Sequence, residues 1–461
     1  MKQPFYIVAL LGCISGIAGC SELSDGSTRD PTTLVTTLEL SARNTLSVSY
    51  ESTQPVKSLS LQRVPDGQRE ARWRIEDHDF ILRHDGEAKT DMIMRKDGAP
   101  FKTVTVMVPT TYTQFPKDYA AFMPYRETGL LIHSGRFQAC PERCGDDARS
   151  FPMTLVAPKD EHILIFGEVL EESTVSWDDT NDGTMVYVGS AKPVETEHVI
   201  SIVDPALPSA FRSSLDQFFP LLMQHHAERL GSLPTKPMLF ATLDRNAQPD
   251  GDPTSSNFSS QGGTLPGQVF MHLTGDGWLE PSSGWSAKII GSIPWFFAHE
   301  VAHLYQQREL ADPDIEHYWI HEGGANALAA LSLMELKTDL SGYVLARLDD
   351  DAARCADGLK EGPLGSAGAR GAFDLYYSCG MFIQLTADAE IHRYSNGKRS
   401  LYDAWVEFMD RVATGDPWDA ATFLGVLTKE GALNATLLAE EMLSAGSPPE
   451  VAKILAGVAI E

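Results

Sequence analysis

The sequence is short of positive charge: its 461 residues include 37 Lys and Arg against 63 Asp and Glu, which gives a formal net charge of −26. Such an acidic surface repels phosphate backbones, which argues against nucleic acid as a partner. Long apolar runs are also missing, apart from one at the N-terminus, so no other segment is a candidate for crossing a membrane. Hydrophobic residues make up 43% and charged residues 22%, which excludes a disordered or collagen-like chain.

The apolar run at the N-terminus covers residues 5–18 and follows Met1-Lys2. It has the length of a secretory signal and is too short for a transmembrane helix. It ends in Ile17-Ala18-Gly19-Cys20, which resembles the lipobox of bacterial lipoproteins. The resemblance implies a signal peptide over 1–19, a lipid on Cys20 and a membrane anchor in the bacterial cell envelope, at the outer membrane if the source is Gram-negative. The alternative is an ordinary signal peptide with a cysteine near its cleavage site.

The chain has only six cysteines, and export would leave few of them free. Cys13 would leave with the signal peptide, and Cys20 would carry the lipid. An even number remains in an exported chain, which predicts two disulfides between neighbours in sequence. These pairs are Cys140 with Cys144 and Cys355 with Cys379. For Cys140 and Cys144 the alternative is half of a zinc site, but no second Cys or His pair lies nearby to complete four ligands.

Two regions of different character follow a polar tether over 20–33. Residues 34–203 contain short alternating runs, such as Thr103–Val108, broken by Gly, Pro and Asp, which predict an all-β domain. After Pro205 the apolar spacing becomes helical, with two strand candidates at 238–243 and 268–273 and mostly helix after 287. We therefore predict an α+β multidomain protein, with its second domain over 204–461.

A metal-binding motif lies in Pro294–Tyr305, which contains His299-Glu300-Val301-Ala302-His303. Pro294 suits the first turn of a helix. On that helix the imidazoles of His299 and His303, four residues apart, lie on one face and can hold one zinc ion. Glu300 lies beside them, placed to accept a proton from a water molecule.

Eighteen residues separate His303 from Glu322, which lies in Trp319-Ile320-His321-Glu322-Gly323. This spacing and the Trp-x-x-Glu-Gly segment resemble the gluzincin metallopeptidases of the aminopeptidase N and glycyl aminopeptidase type, over residues 294–385. The resemblance implies a thermolysin-like catalytic domain with a small mixed sheet and a mainly helical C-terminal part. It also implies one Zn²⁺ per chain with Glu322 as third ligand. His317 and His321 are the alternatives, in a three-His site.

The same family carries a Tyr-x-x-Gly segment after the third ligand, which matches Tyr377-Ser378-Cys379-Gly380. The resemblance implies that Tyr377 donates a hydrogen bond to the oxyanion formed during hydrolysis. The alternative is a core aromatic residue on a helix, a role that suits Tyr376 better. Asn326, four residues after Glu322, is a candidate to hydrogen-bond a ligating imidazole.

Two family features are missing, one of which is the Gly-x-Glu-His pattern of the glycyl aminopeptidase type. Aminopeptidases of the aminopeptidase N type carry a Gly-Ala-Met-Glu-Asn segment before the zinc helix, whose Glu binds the substrate's amino terminus, whereas residues 262–272 contain no carboxylate. A strand here remains a candidate edge for peptide binding. We therefore expect a lipid-anchored, extracytoplasmic zinc peptidase acting on peptides or proteins, with Glu300 as general base, and do not assign it to the aminopeptidases. The alternative is a binding lipoprotein that has lost turnover.

Overall fold

The computed structural model describes residues 33–445 except 43, 64–66, 88, 114, 116–117, 127, 146–149, 181, 245–258, 279–286 and 307–314. The predicted signal peptide, Cys20 and nearly all of the tether lie outside the described residues. Within the described residues, no helix is long and apolar enough to cross a membrane.

The N-terminal region is rich in β structure, as predicted. Alternate residues of its strands point inward, and in the second strand Leu46, Val48 and Tyr50 are fully buried while the residues between them are not. The elements are β1 (Leu34–Ala42), β2 (Thr45–Val56), β3 (Ser58–Leu61), α1 (Gln68–Arg72), β4 (Arg74–Ile75), β5 (Phe80–Asp85), β6 (Thr90–Arg95), β7 (Phe101–Pro109), β8 (Phe122–Tyr125), β9 (Gly129–His133), β10 (Ala139–Pro141), β11 (Phe151–Val156), β12 (His162–Ile165), β13 (Glu168–Leu170), β14 (Thr174–Asp179) and β15 (Met185–Gly189). They form sheets of order β14-β11-β1-β2-β7-β4, β10-β3-β6-β5 and β13-β12-β15-β9-β8.

A further sheet carries the second region. Its strands are β16 (Val194–Glu195), β17 (Ile200–Val203), β18 (Met238–Asp244), β19 (Ser259–Leu265) and β20 (Gln268–Thr274), in the order β16-β17-β18-β20-β19. β17, β18 and β20 run parallel, while β16 and β19 pair antiparallel at the two edges, so the sheet is mixed. Residues 200–203, which the predicted boundary leaves in the β-rich domain, pair with this sheet; the boundary itself stays a prediction.

The rest of the described chain is mainly helical. Its helices are α2 (Ser209–Leu230), α3 (Ala287–Tyr305), α4 (Tyr318–Leu336), α5 (Ser341–Glu361), α6 (Asp374–Tyr394), α7 (Leu401–Ala413), α8 (Ala420–Lys429) and α9 (Leu433–Ser444). α4 is buried on most of its sides and is rich in Ala and Gly, which lets neighbouring helices approach closely. The predicted fold class, a β-rich region followed by a small mixed sheet and a mainly helical part, is confirmed.

Each region has its own apolar core, and a third apolar cluster joins the β-rich region to the second region. Met123 and Tyr187 from the β-rich sheet pack with Ile200, Phe240 and Phe270 from the mixed sheet, and all five are essentially unexposed. A core of this kind fixes the two regions against each other because separating them would expose apolar surface.

The prediction that Pro294 occupies the first turn of the zinc helix is wrong. Pro294 is the eighth residue of α3 as described. A proline there leaves the carbonyl of Ile290 without its helical partner. Ile290 is 42% exposed, so this turn lies at the protein surface, and α3 continues past the proline to Tyr305.

Both predicted disulfides are present. Cys140–Cys144 closes a short loop at the end of β10, and Cys355–Cys379 joins α5 to α6. The first bond excludes the alternative in which Cys140 and Cys144 form half of a zinc site. The second holds α6 two residues after Tyr377.

Candidate metal centre

Three side chains from α3 and α4 meet at one point. The Nε2 atoms of His299 and His303 lie 3.1 Å apart. Glu322 Oε2 lies 3.3 Å from each of them. The opposite face of α3 is fixed in the core, where Phe297, Ala298 and Val301 are fully buried, so the two imidazoles face α4. Within the described residues this is the single cluster of His, Cys, Asp or Glu close enough to hold a metal ion together.

The spacing of these three atoms fits a zinc ion. Tetrahedral zinc with bonds of roughly 2.0–2.1 Å holds its ligand atoms about 3.3–3.4 Å apart. Two imidazoles and one carboxylate also leave a fourth position for a water molecule or a substrate, as catalytic zinc sites do. Burial alone would raise the pKa of Glu322, but the neighbouring imidazoles hold that pKa well below its usual range, so Glu322 is an anion.

Two amides orient the imidazoles. Asn326 Oδ1 lies 2.8 Å from His299 Nδ1, and Gln306 Oε1 lies 2.6 Å from His303 Nδ1. Because each amide oxygen accepts from an Nδ1–H, each Nε2 keeps its lone pair for a metal. The Gln306 amide also donates to the carbonyl of His321 at 2.9 Å, which fixes its orientation. Sequence reasoning named Asn326 and missed Gln306, which lies three residues after His303 in the turn that follows α3; this short spacing was an available signal.

Removing either amide should weaken metal binding. We expect Asn326→Ala and Gln306→Ala each to lower zinc affinity by roughly 10- to 100-fold, because the imidazole that each one holds becomes free to rotate or change tautomer. Competition with a chromogenic chelator measures this affinity. Gln224→Ala is the matched control, since Gln224 lies on α2 and its amide bonds the exposed Glu228. An unchanged affinity in both amide variants would show that these contacts do not orient the ligands.

Glu300 stands next to the triangle without joining it. Its Oε2 accepts a hydrogen bond from Thr264 Oγ1 at 2.7 Å, and its main-chain carbonyl lies 3.0 Å from the same hydroxyl. Thr264 lies on β19, one of the two edge strands of the described mixed sheet. Sequence reasoning did not identify Thr264, because nothing in its local pattern shows that β19 approaches α3.

Tyr377 reaches the site because α4 and α6 cross at two glycines. A Cβ on Gly323 would clash with the backbone of Gly380, so both positions of the sequence motifs permit this close approach. The Tyr377 ring stacks on His299, with centroids 5.8 Å apart and planes at 22°. Tyr377 is partly exposed, but the desolvation of its hydroxyl group and the carboxylates of Glu322 and Glu300 raise the pKa of the phenol, which therefore stays protonated and can donate a hydrogen bond.

The residues that were alternatives in the sequence are not part of the triangle. The His321 imidazole stacks on His303 with centroids 4.0 Å apart, and its Nδ1 is 3.5 Å from Glu322 Oε1, so it flanks the triangle. His317 lies in the turn before α4. Tyr376 is buried, and its hydroxyl accepts a hydrogen bond from Gly368 N at 2.9 Å, which is a core role.

No protein-family model and no curated protein matches the chain. Solved structures do resemble it. The aminopeptidase N family protein from Idiomarina loihiensis is 11% identical, with 92% of this chain and 78% of that chain covered and a TM-score of 0.64. A variant of the M1 zinc metallopeptidase from Deinococcus radiodurans, bound to the substrate Tyr-Ser-Ala, is 14% identical over 91% of this chain and 94% of that chain, with a TM-score of 0.48. Native yeast LTA4 hydrolase is 10% identical over 90% and 68%, also with a TM-score of 0.48.

Proposed function

We propose that this chain, which has the fold of an aminopeptidase N family protein, is a zinc-dependent peptidase. The observation that carries the proposal is the triangle of His299, His303 and Glu322, with Glu300 beside it but outside it. A structural zinc site is normally closed by four protein ligands, mostly cysteines, whereas this set of three leaves one position open. Zinc-dependent hydrolysis requires a metal position that is open to water and, beside it, a carboxylate that does not bind the metal.

The reaction we propose is the addition of water to a peptide bond. Bound zinc would supply a Lewis acid that polarises the scissile carbonyl and lowers the pKa of a water molecule. Glu300 accepts one proton from the attacking water, whose oxygen bonds to the carbonyl carbon. The carbon–nitrogen bond then breaks, and Glu300 returns the proton to the leaving amine. The Tyr377 phenol donates a hydrogen bond to the oxyanion that forms in between.

Peptide cleavage tests this proposal. The protein is incubated with a peptide library that contains free and blocked amino termini, and new amino groups are counted by mass spectrometry. We expect cleavage that a zinc chelator abolishes and that returned zinc restores. Cleavage that continues unchanged after complete removal of the metal would contradict a zinc mechanism.

The role of Tyr377 gives a more specific prediction. We expect Tyr377→Phe to lower kcat by roughly a hundredfold or more, the typical loss when one oxyanion donor is removed. Tyr376→Phe is the matched control, because it removes a neighbouring hydroxyl that bonds a loop and should leave kcat unchanged. Steady-state kinetics on one cleaved peptide measures both variants. Equal kcat values for wild type and Tyr377→Phe would remove Tyr377 from the mechanism.

We also propose that the enzyme is a lipoprotein held at the bacterial cell envelope. The support is the lipobox-like Ile17-Ala18-Gly19-Cys20 together with two disulfides in the exported part. Because lipidation needs the Cys20 thiol, Cys20→Ala should move the protein from the membrane fraction to the soluble fraction. Membrane and soluble fractions of cells expressing each form are compared by immunoblot. A variant that stays in the membrane fraction would contradict the anchor.

A further inference from the structure

The edge strand β19 contacts the helix that carries Glu300 through a polar side chain. Thr264 Oγ1 donates to Glu300 Oε2 at 2.7 Å, and this carboxylate oxygen is thereby held on the side of the strand. A carboxylate has two oxygens, so Oε1 remains available to accept a proton. A flexible glutamate side chain anchored by one oxygen occupies fewer rotamers, which reduces the entropy lost when it must reach a defined position.

The strand is held close to the helix. A Cβ on Gly262 would clash with the ring of Phe296, which lies one helical turn before Glu300. A Cβ on Gly263 would lie 2.7 Å from the hydroxyl oxygen of Tyr119, on the other side. Side chains at these two positions would push the strand away from its neighbours, so the glycines set the separation at which the Thr264 hydroxyl meets Glu300.

Residues of the β-rich region fix the same strand. The Gln261 amide donates to the carbonyls of Phe115 and Asp118 at 3.1 and 2.9 Å. Its oxygen accepts from the Tyr112 hydroxyl at 2.8 Å. The Tyr119 hydroxyl donates to the Thr264 carbonyl at 3.2 Å. Four hydrogen bonds therefore tie two positions of β19 to Tyr112, Phe115, Asp118 and Tyr119.

We propose that Thr264 is a positioning residue for Glu300, and that the β-rich region holds β19 so that Thr264 can perform this role. The inference rests on the proposed function, in which Glu300 is the general base. It gives the β-rich region a role in catalysis, because Tyr112, Phe115, Asp118 and Tyr119 hold the edge strand at its position beside α3.

Kinetics separates this role from a merely structural one. Thr264→Val keeps the shape of the side chain and removes the hydroxyl. We expect roughly a tenfold loss of kcat with an unchanged KM, since one hydrogen bond is lost and substrate binding is not involved. Thr264→Ser restores the hydroxyl and should recover most of the kcat. Thr242→Val is the matched control, because the Thr242 hydroxyl bonds His272 in the same sheet and does not touch Glu300.

The decisive comparison uses Glu300→Gln as background. If Thr264 acts through Glu300, adding Thr264→Val to Glu300→Gln should not lower kcat any further. A structural defect would instead lower kcat again by the same factor. Full kcat in Thr264→Val, or an undiminished loss in the Glu300→Gln background, would overturn the proposal.

A second readout does not depend on activity. Tm values of wild type, Thr264→Val, Glu300→Ala and the double variant are measured at one zinc content. Because the two side chains bond each other, we expect the two Tm losses not to add in the double variant. Additive losses of Tm would show that the two side chains do not interact, and would overturn the proposal even if the enzyme is active. A wild type that cleaves nothing would defeat the proposed function, and the Tm cycle would still decide whether Thr264 holds Glu300.

Discussion

We expect peptide turnover to fall at least about a hundredfold when Glu300 is replaced by Gln. Glutamine has the shape of glutamate and can still accept the Thr264 hydrogen bond, but it cannot take a proton from water. General-base catalysis typically contributes 10²–10⁴-fold, and this is the range of the expected loss. Glu300 is not in the triangle of His299, His303 and Glu322, so zinc content should stay unchanged.

The measurement compares kcat of the two proteins on one peptide at matched zinc content. Glu335→Gln is a suitable control, because Glu335 is a surface glutamate on α4 that pairs with Arg229 at 2.7 Å. Its turnover should equal that of the wild type. Equal turnover in wild type and Glu300→Gln would defeat the mechanism and favour the alternative of a binding lipoprotein.

The second large effect concerns the metal. We expect the triple variant His299→Ala, His303→Ala, Glu322→Ala to bind no zinc after dialysis, because all three donor atoms of the triangle are removed. The wild type should retain one zinc per chain. Turnover should disappear together with the zinc, since the proposed reaction depends on it. Elemental analysis of the dialysed proteins measures the stoichiometry.

Two histidines outside the triangle serve as controls for this experiment. His317→Ala and His321→Ala should retain zinc, since Glu322 Oε2 and not an imidazole lies 3.3 Å from both Nε2 atoms. Full zinc occupancy in the triple variant would rule out the assignment. Loss of zinc from His321→Ala with retention in a Glu322→Ala variant would indicate the three-His site instead.

Sequence alone predicts those parts of the site whose spacing is set by a single helix or a short motif. The four-residue interval between His299 and His303 places both imidazoles on one face of α3. Glu322 was identified by its motif, and the structure brings its Oε2 to the two Nε2 atoms. Only the structure explains why the motifs contain Gly323 and Gly380: α4 and α6 cross so closely that a side chain at either position would clash.

The parts of the site that could not be predicted from the sequence depend on contacts between distant segments of the chain. Thr264 meets Glu300 across 36 positions, and neither residue's neighbours indicate the other. The hydrogen bonds from Gln261 to the carbonyls of Phe115 and Asp118 span a still longer separation. Pro294 misled the prediction of where α3 begins, because a proline can lie inside a helix at the loss of one hydrogen bond, and α3 extends seven residues before it.

Titration of the metal-free protein with zinc tests the central claim most directly. Peptide turnover is measured after each addition of zinc to protein that a chelator has emptied. We predict turnover that rises in proportion to bound zinc and stops rising at one zinc per chain. A chain that binds one zinc and cleaves no peptide in a broad library, or one whose turnover does not follow its zinc content, would contradict it.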